Sequence, residues 1–340
     1  MLLLSGLFGC GADADGGRLY VASGSTDQVF ILDARDGAIL DTLRFDPRRG
    51  ETDEPHGIGV APDGGRWYVT LGHGEPTLWA VEADAERVVG RVRLPLPGAA
   101  RVRITPDGAR ALVPDFWRSG QGRTSSVAVV DLATLTVLTT LPLCAAPHDA
   151  APSPDGSLVA VACPLSDEVL VLDARTWEVR TRSPAGSDPG PPGQPRYRPL
   201  NVAWLPDGSG FFVGMHASGE VVRFDPEGRE ETRLVTGGHP AQIAVTSTGA
   251  LLVPDRHGGT LAVLDAAAGT PTRTIPLGAA HPHGLSIAPD GRTAWVALEG
   301  RTGEPGTVVA VDLVRGAVVW SRPLGGYLLG IAFRPPAGVR

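Results

Sequence analysis

Gly57-Ile-Gly-Val-Ala-Pro-Asp-Gly-Gly-Arg-Trp-Tyr-Val-Thr70 is the stretch of sequence that decides the fold. In it, a short apolar strand, a Pro-Asp-Gly turn and a second apolar strand follow one another. Pro fixes φ and Gly accepts a positive φ, so the tripeptide predicts a tight turn between antiparallel strands. Further copies begin at Pro106, Pro154, Pro206 and Pro289, and a degenerate copy begins at Thr246.

A third apolar strand that ends in an acid follows each hairpin. Such strands end at Asp33, Glu82, Asp131, Asp173, Asp225, Asp265 and Asp312. A fourth strand comes after each acid, as in residues 88–94. A repeat of about forty to fifty residues with this content predicts blades of four antiparallel strands.

The two ends of the chain together complete one blade. The chain begins at a second strand, residues 18–22, and finishes with an isolated first strand, residues 328–333. Pairing them closes the ring in blade one and leaves no unpaired sheet edge. The sequence therefore predicts an all-β, seven-bladed β-propeller over residues 14–340, preceded by a short segment at residues 1–13.

The repeat resembles that of the YVTN, or YncE-like, family of seven-bladed propellers in the WD40/YVTN repeat-like superfamily. The family pattern of Pro-x-Gly, Pro-Asp-Gly and Tyr-Val is similar to residues 55–69, and its Val-x-Val-Ile-Asp strand is similar to residues 169–173. The resemblance implies the propeller fold and membership of a group of mostly exported proteins. It implies no particular reaction, because propellers host many unrelated functions.

Composition narrows the possible functions. The formal charge is −7, and all 30 basic residues are Arg because the sequence contains no Lys. A Lys Schiff base and a P-loop Lys are therefore excluded. An acidic chain without a dense basic run is also a poor nucleic-acid binder, so we expect no nucleic-acid partner.

The N-terminal segment predicts export. Residues 1–9 are apolar but too short to span a bilayer as a helix, which is typical of the end of a secretion signal. Leu7-Phe8-Gly9-Cys10 resembles a bacterial lipobox, in which the Cys is lipidated. We expect a monomeric periplasmic or cell-surface lipoprotein of a bacterium, held to the membrane only by a lipid on Cys10. The alternative is a frayed apolar terminus on a cytoplasmic protein.

One side of the predicted ring carries the loops after the second and fourth strands, and we call it the variable face. Its loops differ in length, with long ones at residues 115–126, 183–197 and 299–306, which is typical of a binding surface. All eight histidines fall on this side. Three of them open innermost strands (His56, His148 and His283), and the others are His73, His216, His239, His257 and His281.

These histidines allow two interpretations. Neutral imidazole is the commonest metal ligand, and an axial site lets several blades contribute, so a divalent metal ion is one expected cofactor. The candidate metal ligands are His56, His148, His239, His257, His281 and His283. The alternative is that repeat duplication copied a strand opening in which each His only hydrogen-bonds a neighbouring loop.

Other residues on the variable face are candidates for contact with a protein partner or a small ligand. They are His73, Trp117, Arg118, Arg198, His216 and Glu299. Cys144 and Cys163 also lie there, and in an exported protein they predict a disulfide. A thiolate and imidazole metal site with His148 is the alternative.

Two functions are compatible with these observations. The first is an exported binding or scaffold protein whose variable face binds a partner, a small ligand or a metal. The second is a metal-dependent enzyme, because Pro55-His56-Gly57 and Pro282-His283-Gly284 resemble strand openings of streptogramin-lyase propellers. That resemblance implies a His and acid site at the channel mouth, with Glu299 as the acid partner of His283.

Overall fold

The computed structural model describes residues 16–116, 123–300 and 303–336. Within them, 28 strands form seven four-stranded antiparallel sheets, so the predicted seven-bladed β-propeller is confirmed. This part of the chain contains no helix long and apolar enough to cross a membrane. Residues 1–13, with Cys10, and the loop residues Trp117 and Arg118 lie outside the described ranges.

Blade one joins both ends of the chain, as predicted. Its strands, from the innermost outward, are β28 (Leu328–Arg334), β1 (Arg18–Ser23), β2 (Gln28–Asp33) and β3 (Ile39–Arg44). Arg18 pairs with Arg334 and Leu19 with Phe333, so the first and last strands are directly hydrogen-bonded neighbours.

The other six blades follow the order of the chain. Blades two and three contain β4 (Pro55–Val60), β5 (Arg66–Leu71), β6 (Thr77–Glu82), β7 (Arg87–Arg93), β8 (Arg103–Ile104), β9 (Arg110–Pro114), β10 (Thr124–Asp131) and β11 (Thr136–Ala145). Blades four and five contain β12 (Asp149–Pro152), β13 (Leu158–Cys163), β14 (Glu168–Asp173), β15 (Val179–Pro184), β16 (Pro199–Trp204), β17 (Phe211–Met215), β18 (Glu220–Phe224) and β19 (Glu230–Val235). Blades six and seven contain β20 (Ala244–Val245), β21 (Ala250–Asp255), β22 (Thr260–Asp265), β23 (Pro271–Pro276), β24 (Pro282–Ile287), β25 (Thr293–Leu298), β26 (Thr307–Asp312) and β27 (Ala317–Pro323).

The Pro-Asp-Gly turns form as the sequence predicts. Gly64 has φ 72°, a conformation that side chains with a Cβ rarely adopt. Its N–H donates to Ala61 O at 2.8 Å, and Asp63 Oδ1 accepts from Gly65 N at 2.9 Å. The Asp side chain therefore closes the turn locally, as Asx turns do.

The degenerate turn in blade six is one residue shorter than the others. Gly249 N donates to Thr246 O at 3.0 Å, just as Gly64 N donates to Ala61 O. Thr246 therefore takes the position of Ala61, and its prediction as the counterpart of Pro62 was wrong by one residue.

Buried apolar clusters fill the space between every pair of neighbouring blades. Between blades one and two, for example, Tyr20 stacks on Trp67 with ring centroids 4.6 Å apart, and both side chains are fully buried. Burial of one large apolar side chain stabilises a fold by about 1.5–3 kcal/mol, so these clusters hold the ring together.

Glycines on the innermost strands set how closely neighbouring blades approach. A Cβ added at Gly284 would lie 2.3 Å from Leu329 O of blade one, and a Cβ added at Gly330 would lie 2.3 Å from His56 O of blade two. Neither position has room for a side chain. The Gly of the Pro-His-Gly motif thus serves the packing of one backbone against the next.

Arg334 links the closing strand β28 to blade two. Its side chain donates to Gly64 O at 2.8 Å and Ala83 O at 3.0 Å, and it forms an ion pair with Asp84. The residue is only 9% exposed. Removal of the guanidinium would leave buried carbonyl oxygens without a donor.

Arg334→Ala should therefore lower the free energy of unfolding by about 1.5–3 kcal/mol, the range for hydrogen bonds to charged groups. Urea denaturation followed by Trp fluorescence measures this as a shift of the midpoint. The matched control is Arg87→Ala, which removes an exposed ion pair with Glu82 and should change stability by less than about 0.5 kcal/mol. Equal midpoints for the two variants would show that Arg334 does not stabilise the closure.

A disulfide joins blades three and four. Cys144 at the end of β11 is bonded to Cys163 at the end of β13, with their Cα atoms 6.0 Å apart and a sequence separation of 19. Both side chains are buried. The thiolates of the alternative metal site are therefore not present in this structure.

Replacement of both cysteines by Ser should lower the free energy of unfolding by about 3 kcal/mol, because the unfolded chain regains the entropy of an open loop of this length. Urea denaturation of wild type and variant, with and without reductant, measures the effect. Reductant should destabilise only the wild type. An unchanged wild-type midpoint in reductant would contradict a stabilising disulfide.

Candidate functional site

A cavity of about 250 Å³ opens at the mouth of the central channel on the variable face. Four histidines, three arginines and one glutamate line it, together with Asn201, Gln242 and Tyr327. Innermost strands of several blades and the loops after their second strands supply these side chains. The site therefore exists only when the ring is closed.

At the entry to the innermost strand, one residue has a left-handed backbone in five blades; it directly precedes the strand in four of them, and in blade four it is Ala146, three residues before β12. These residues and their φ angles are Glu54 (52°), Ala146 (54°), Arg198 (57°), His281 (63°) and Tyr327 (54°). Arg198 is held there from both sides, since its N–H donates to Asp167 Oδ1 at 2.7 Å and its carbonyl accepts from His216 N at 3.0 Å. Such backbone strain costs about 1–3 kcal/mol and is common at binding sites.

Backbone carbonyls determine where three cavity histidines carry their proton. Each Nδ1 donates to a carbonyl oxygen of the neighbouring blade: His148 to Leu200 at 2.8 Å, His216 to Pro240 at 2.9 Å and His283 to Leu329 at 3.2 Å. A carbonyl oxygen can only accept, so the proton is on Nδ1 and Nε2 keeps a lone pair. These bonds agree with the interpretation in which each His only hydrogen-bonds a neighbouring loop. They use Nδ1, so they leave Nε2 of all three histidines available.

The same three histidines are neutral at pH 7. Burial lowers the pKa of His148 to about 3 and that of His216 to about 4, and it lowers the pKa of His283 well below its ordinary value. Burial disfavours the charged form because the imidazolium loses its hydration. At neutral pH these rings are therefore hydrogen-bond acceptors or metal ligands rather than cations.

A carboxylate orients the fourth cavity histidine. His56 Nδ1 lies 3.1 Å from Glu54 Oε1, so this nitrogen carries the proton. The other oxygen of Glu54 lies 3.0 Å from His73 Nε2, which places His73 behind the cavity wall. His56 is 7% exposed, and its buried Nε2 has no hydrogen-bond partner in the described ranges. The His56 and His283 ring centroids are 5.6 Å apart.

The three cavity arginines differ in how their charge is balanced. Arg256 forms a bidentate pair with Glu299, at 2.5 and 2.6 Å. Arg101 lies 3.7 Å from Asp149, and it donates to the Asn201 amide oxygen at 2.7 Å when that amide is oriented so that both of its polar atoms are satisfied.

Arg198 has no such partner. Within residues 16–116, 123–300 and 303–336, no carboxylate lies within ion-pair distance of its guanidinium, and its Nε is buried without a hydrogen bond. Burial and the charge of Arg256 lower the pKa of Arg198. A nearby anion would favour the protonated guanidinium and raise its pKa, so the described surroundings of Arg198 lack such an anion.

The buried charges around the mouth are unequal. Asp149 is fully buried and pairs bidentately with Arg103, at 2.9 and 2.7 Å. Burial opposes its ionisation, but Arg101 and Arg103 together lower its pKa below the ordinary value. Burial and the charge of Arg103 lower the pKa of Arg101 to about 9, so this residue stays protonated at pH 7. Arg101, Arg103, Arg198 and Arg256 outnumber Asp149 and Glu299 by two, and the carboxylate of Glu54 beside His56 reduces the excess of positive charge to one.

Six of the residues predicted from sequence line this cavity: His56, His148, Arg198, His216, His283 and Glu299. The other predicted metal ligands, His239, His257 and His281, form a row on the rim outside it. In this row the rings of His239 and His257 are 4.1 Å apart, and those of His257 and His281 are 6.2 Å apart. Sequence position thus placed these histidines on one face but did not separate rim from cavity.

Ligand atoms of three metal-binding residues come within 4.8 Å of one another only at Cys144, Cys163 and Glu168 in the part of the chain that the structure describes. These two cysteines form the disulfide. The described histidines therefore do not form a three-histidine group at this spacing.

Sequence reasoning missed Arg256, Gln242 and Tyr327. Gln242 occupies the position that Gly57 and Gly284 hold in other blades, and its Oε1 accepts from Leu285 N at 2.8 Å. A comparison of the repeats at this position would have found the polar replacement. Arg256 was detectable as the neighbour of His257 in a loop after a second strand.

Solved structures support the fold. A functionally unknown protein from Desulfotomaculum acetoxidans DSM 771 aligns with a TM-score of 0.75 and 16% identity, over 94% of this chain and 99% of that chain. Kuenenia stuttgartiensis hydrazine synthase aligns with a TM-score of 0.69 and 20% identity, over 86% of this chain and 94% of that chain. No protein-family model matches the sequence, and no curated protein matches it. The chain is similar to these structures in fold alone, and a shared fold does not assign a function.

Proposed function

We propose that this protein binds a small organic anion at the channel mouth. The observation that carries the proposal is Arg198, whose guanidinium has no carboxylate in range among the described residues although it lines a partly buried cavity. Arg101 and Arg256 line the same cavity, and the one carboxylate in its described lining, Glu299, is already paired with Arg256. An anionic ligand would balance this excess of positive charge.

The size and chemistry of the cavity indicate the class of ligand. A volume of about 250 Å³ is smaller than the roughly 300–1,000 Å³ of sites for drug-sized molecules. Guanidinium groups bind carboxylates and phosphates through pairs of parallel hydrogen bonds. A di- or tricarboxylate, or a small phosphate ester, matches both constraints.

Binding is favoured over the lyase-like alternative by the position of Glu299. Both of its oxygens accept from Arg256, which favours an ion pair over a role as the acid partner of His283. The carboxylate that does contact a cavity histidine is Glu54, which orients His56.

We also propose that the protein belongs to the YVTN, or YncE-like, family and is an exported lipoprotein. The repeat residues support the family, and the Leu7-Phe8-Gly9-Cys10 motif supports a lipid anchor. The disulfide between Cys144 and Cys163 supports an oxidising compartment.

Arg198→Ala should weaken binding of the anion about 10- to 100-fold, because hydrogen bonds to a charged group contribute about 1.5–3 kcal/mol. Isothermal titration calorimetry with citrate, succinate and inorganic phosphate measures the affinity. The control is Arg229→Ala, which removes an exposed arginine between β18 and β19 on the opposite face and should leave affinity unchanged. Absence of binding to all three anions, or equal affinity in wild type and Arg198→Ala, would refute the proposal.

Cys10→Ser should move the protein from the membrane fraction to the soluble fraction of an expressing bacterium, because the thiol that accepts the lipid is lost. Immunoblots of fractionated cells measure this. The Cys144→Ser/Cys163→Ser variant is the control and should stay with the membrane. A soluble wild type, or an unchanged distribution of Cys10→Ser, would contradict lipidation.

A further inference from the structure

The cavity histidines are poor partners for an anion alone. His148, His216 and His283 carry their proton on Nδ1, which donates to a carbonyl oxygen, and each keeps a lone pair on Nε2. Carboxylate and phosphate oxygens are also acceptors. A bare polyanion would thus satisfy the arginines but place its oxygens against other acceptors. The ligand must therefore carry, besides its anionic groups, a group that accepts the Nε2 lone pairs of these histidines.

We propose that the ligand is a polycarboxylate chelate of a divalent transition metal ion, and that Nε2 of His56 and Nε2 of His283 bind the metal. This inference rests on the proposed function, since the arginines bind the carboxylates of the same ligand. The protein thus recognises the metal and its organic chelator together.

Both histidines have the surroundings of metal ligands. A metal-binding His almost always donates its other N–H to a carboxylate or a backbone carbonyl, which fixes the ring and makes the ligating nitrogen more basic. His56 Nδ1 contacts Glu54, and His283 Nδ1 donates to Leu329 O. Nε2 of His56 is buried and has no hydrogen-bond partner in the described ranges, in a residue that is 7% exposed.

The spacing of the two rings is also compatible with one shared ion. Two imidazoles that bind a metal at about 2.0–2.1 Å have ring centroids roughly 4.5–6 Å apart, depending on the angle at the metal. The His56 and His283 centroids are 5.6 Å apart, with ring planes at 79°.

Two histidines alone leave most coordination positions of a metal ion empty. Carboxylate oxygens of the chelator would occupy them, which is consistent with the absence of a three-histidine group among the described residues. A chelate of a divalent ion with a tricarboxylate carries one negative charge, which Arg198, a residue with no ion pair in the described part of the chain, would balance. Imidazole favours Cu²⁺, Ni²⁺ and Zn²⁺ over Mg²⁺ and Ca²⁺. The protein should therefore bind chelates of the first three ions more tightly than chelates of the last two.

The test compares citrate, Ni²⁺ alone, and Ni²⁺–citrate by calorimetry on protein purified without a His tag. Wild type should bind Ni²⁺–citrate at least ten-fold more tightly than citrate. His56→Ala and His283→Ala should each bring the ratio of the affinity for Ni²⁺–citrate to the affinity for citrate close to one. Arg198→Ala should weaken binding of both citrate and Ni²⁺–citrate. The control is His257→Ala on the exposed rim, which should leave the ratio unchanged.

Electron paramagnetic resonance of wild type with Cu²⁺–citrate gives a second readout that needs no variant to fold. We expect hyperfine splitting from two imidazole nitrogens. Equal affinity for citrate and Ni²⁺–citrate, or a spectrum identical to that of free Cu²⁺–citrate, would overturn the proposal of a metal chelate and leave the proposal of anion binding intact. In that case the ligand would supply N–H or O–H donors to the histidines. Failure of citrate, succinate, phosphate and the chelate to bind would overturn both proposals.

Discussion

The close approach of neighbouring innermost strands is the constraint on which the rest of the structure depends. Where Gly284 and Gly330 stand, one backbone lies against the next with no room for a Cβ. This contact sets the width of the channel. It also brings the His that precedes Gly within reach of a carbonyl of the following blade, as in His283 and Leu329. Packing and the orientation of the cavity histidines therefore have a common cause.

Blades three to six replace that glycine with polar residues, and the replacements create the site. They are Arg101, Asp149, Asn201 and Gln242. Asp149 accepts from Val202 N and Gln242 from Leu285 N, so each side chain takes over contact with the next blade. Arg101 faces the cavity instead and contributes charge there. One half of the channel mouth is thus lined by close-packed backbone and the other half by a polar network, which gives the symmetric fold an asymmetric binding site.

The sequence predicted the fold almost completely, because the turn signals and strand patterns are local and recur in every blade. Ring closure was predictable from the isolated strand at residues 328–333. The one-residue error at Thr246 arose where the turn lost its Pro and Asp. The site was harder to predict, because the pair of Arg256 with Glu299, and the lack of a carboxylate near Arg198 among the residues described, depend on side chains that meet across blades. Spacing along the chain placed the histidines on one face but could not show which nitrogen each leaves free.

The pairing of β1 with β28 also has a consequence for biosynthesis. The partner of Arg18 is Arg334, so the N-terminal sheet keeps an open edge until nearly the whole chain has left the ribosome. At about 5–20 residues per second, translation of roughly 300 residues takes about 15–60 s. During that time β1 is a template for pairing with other chains. A chaperone that shields this edge, or secretion of the chain before it folds, would protect the nascent protein from aggregation.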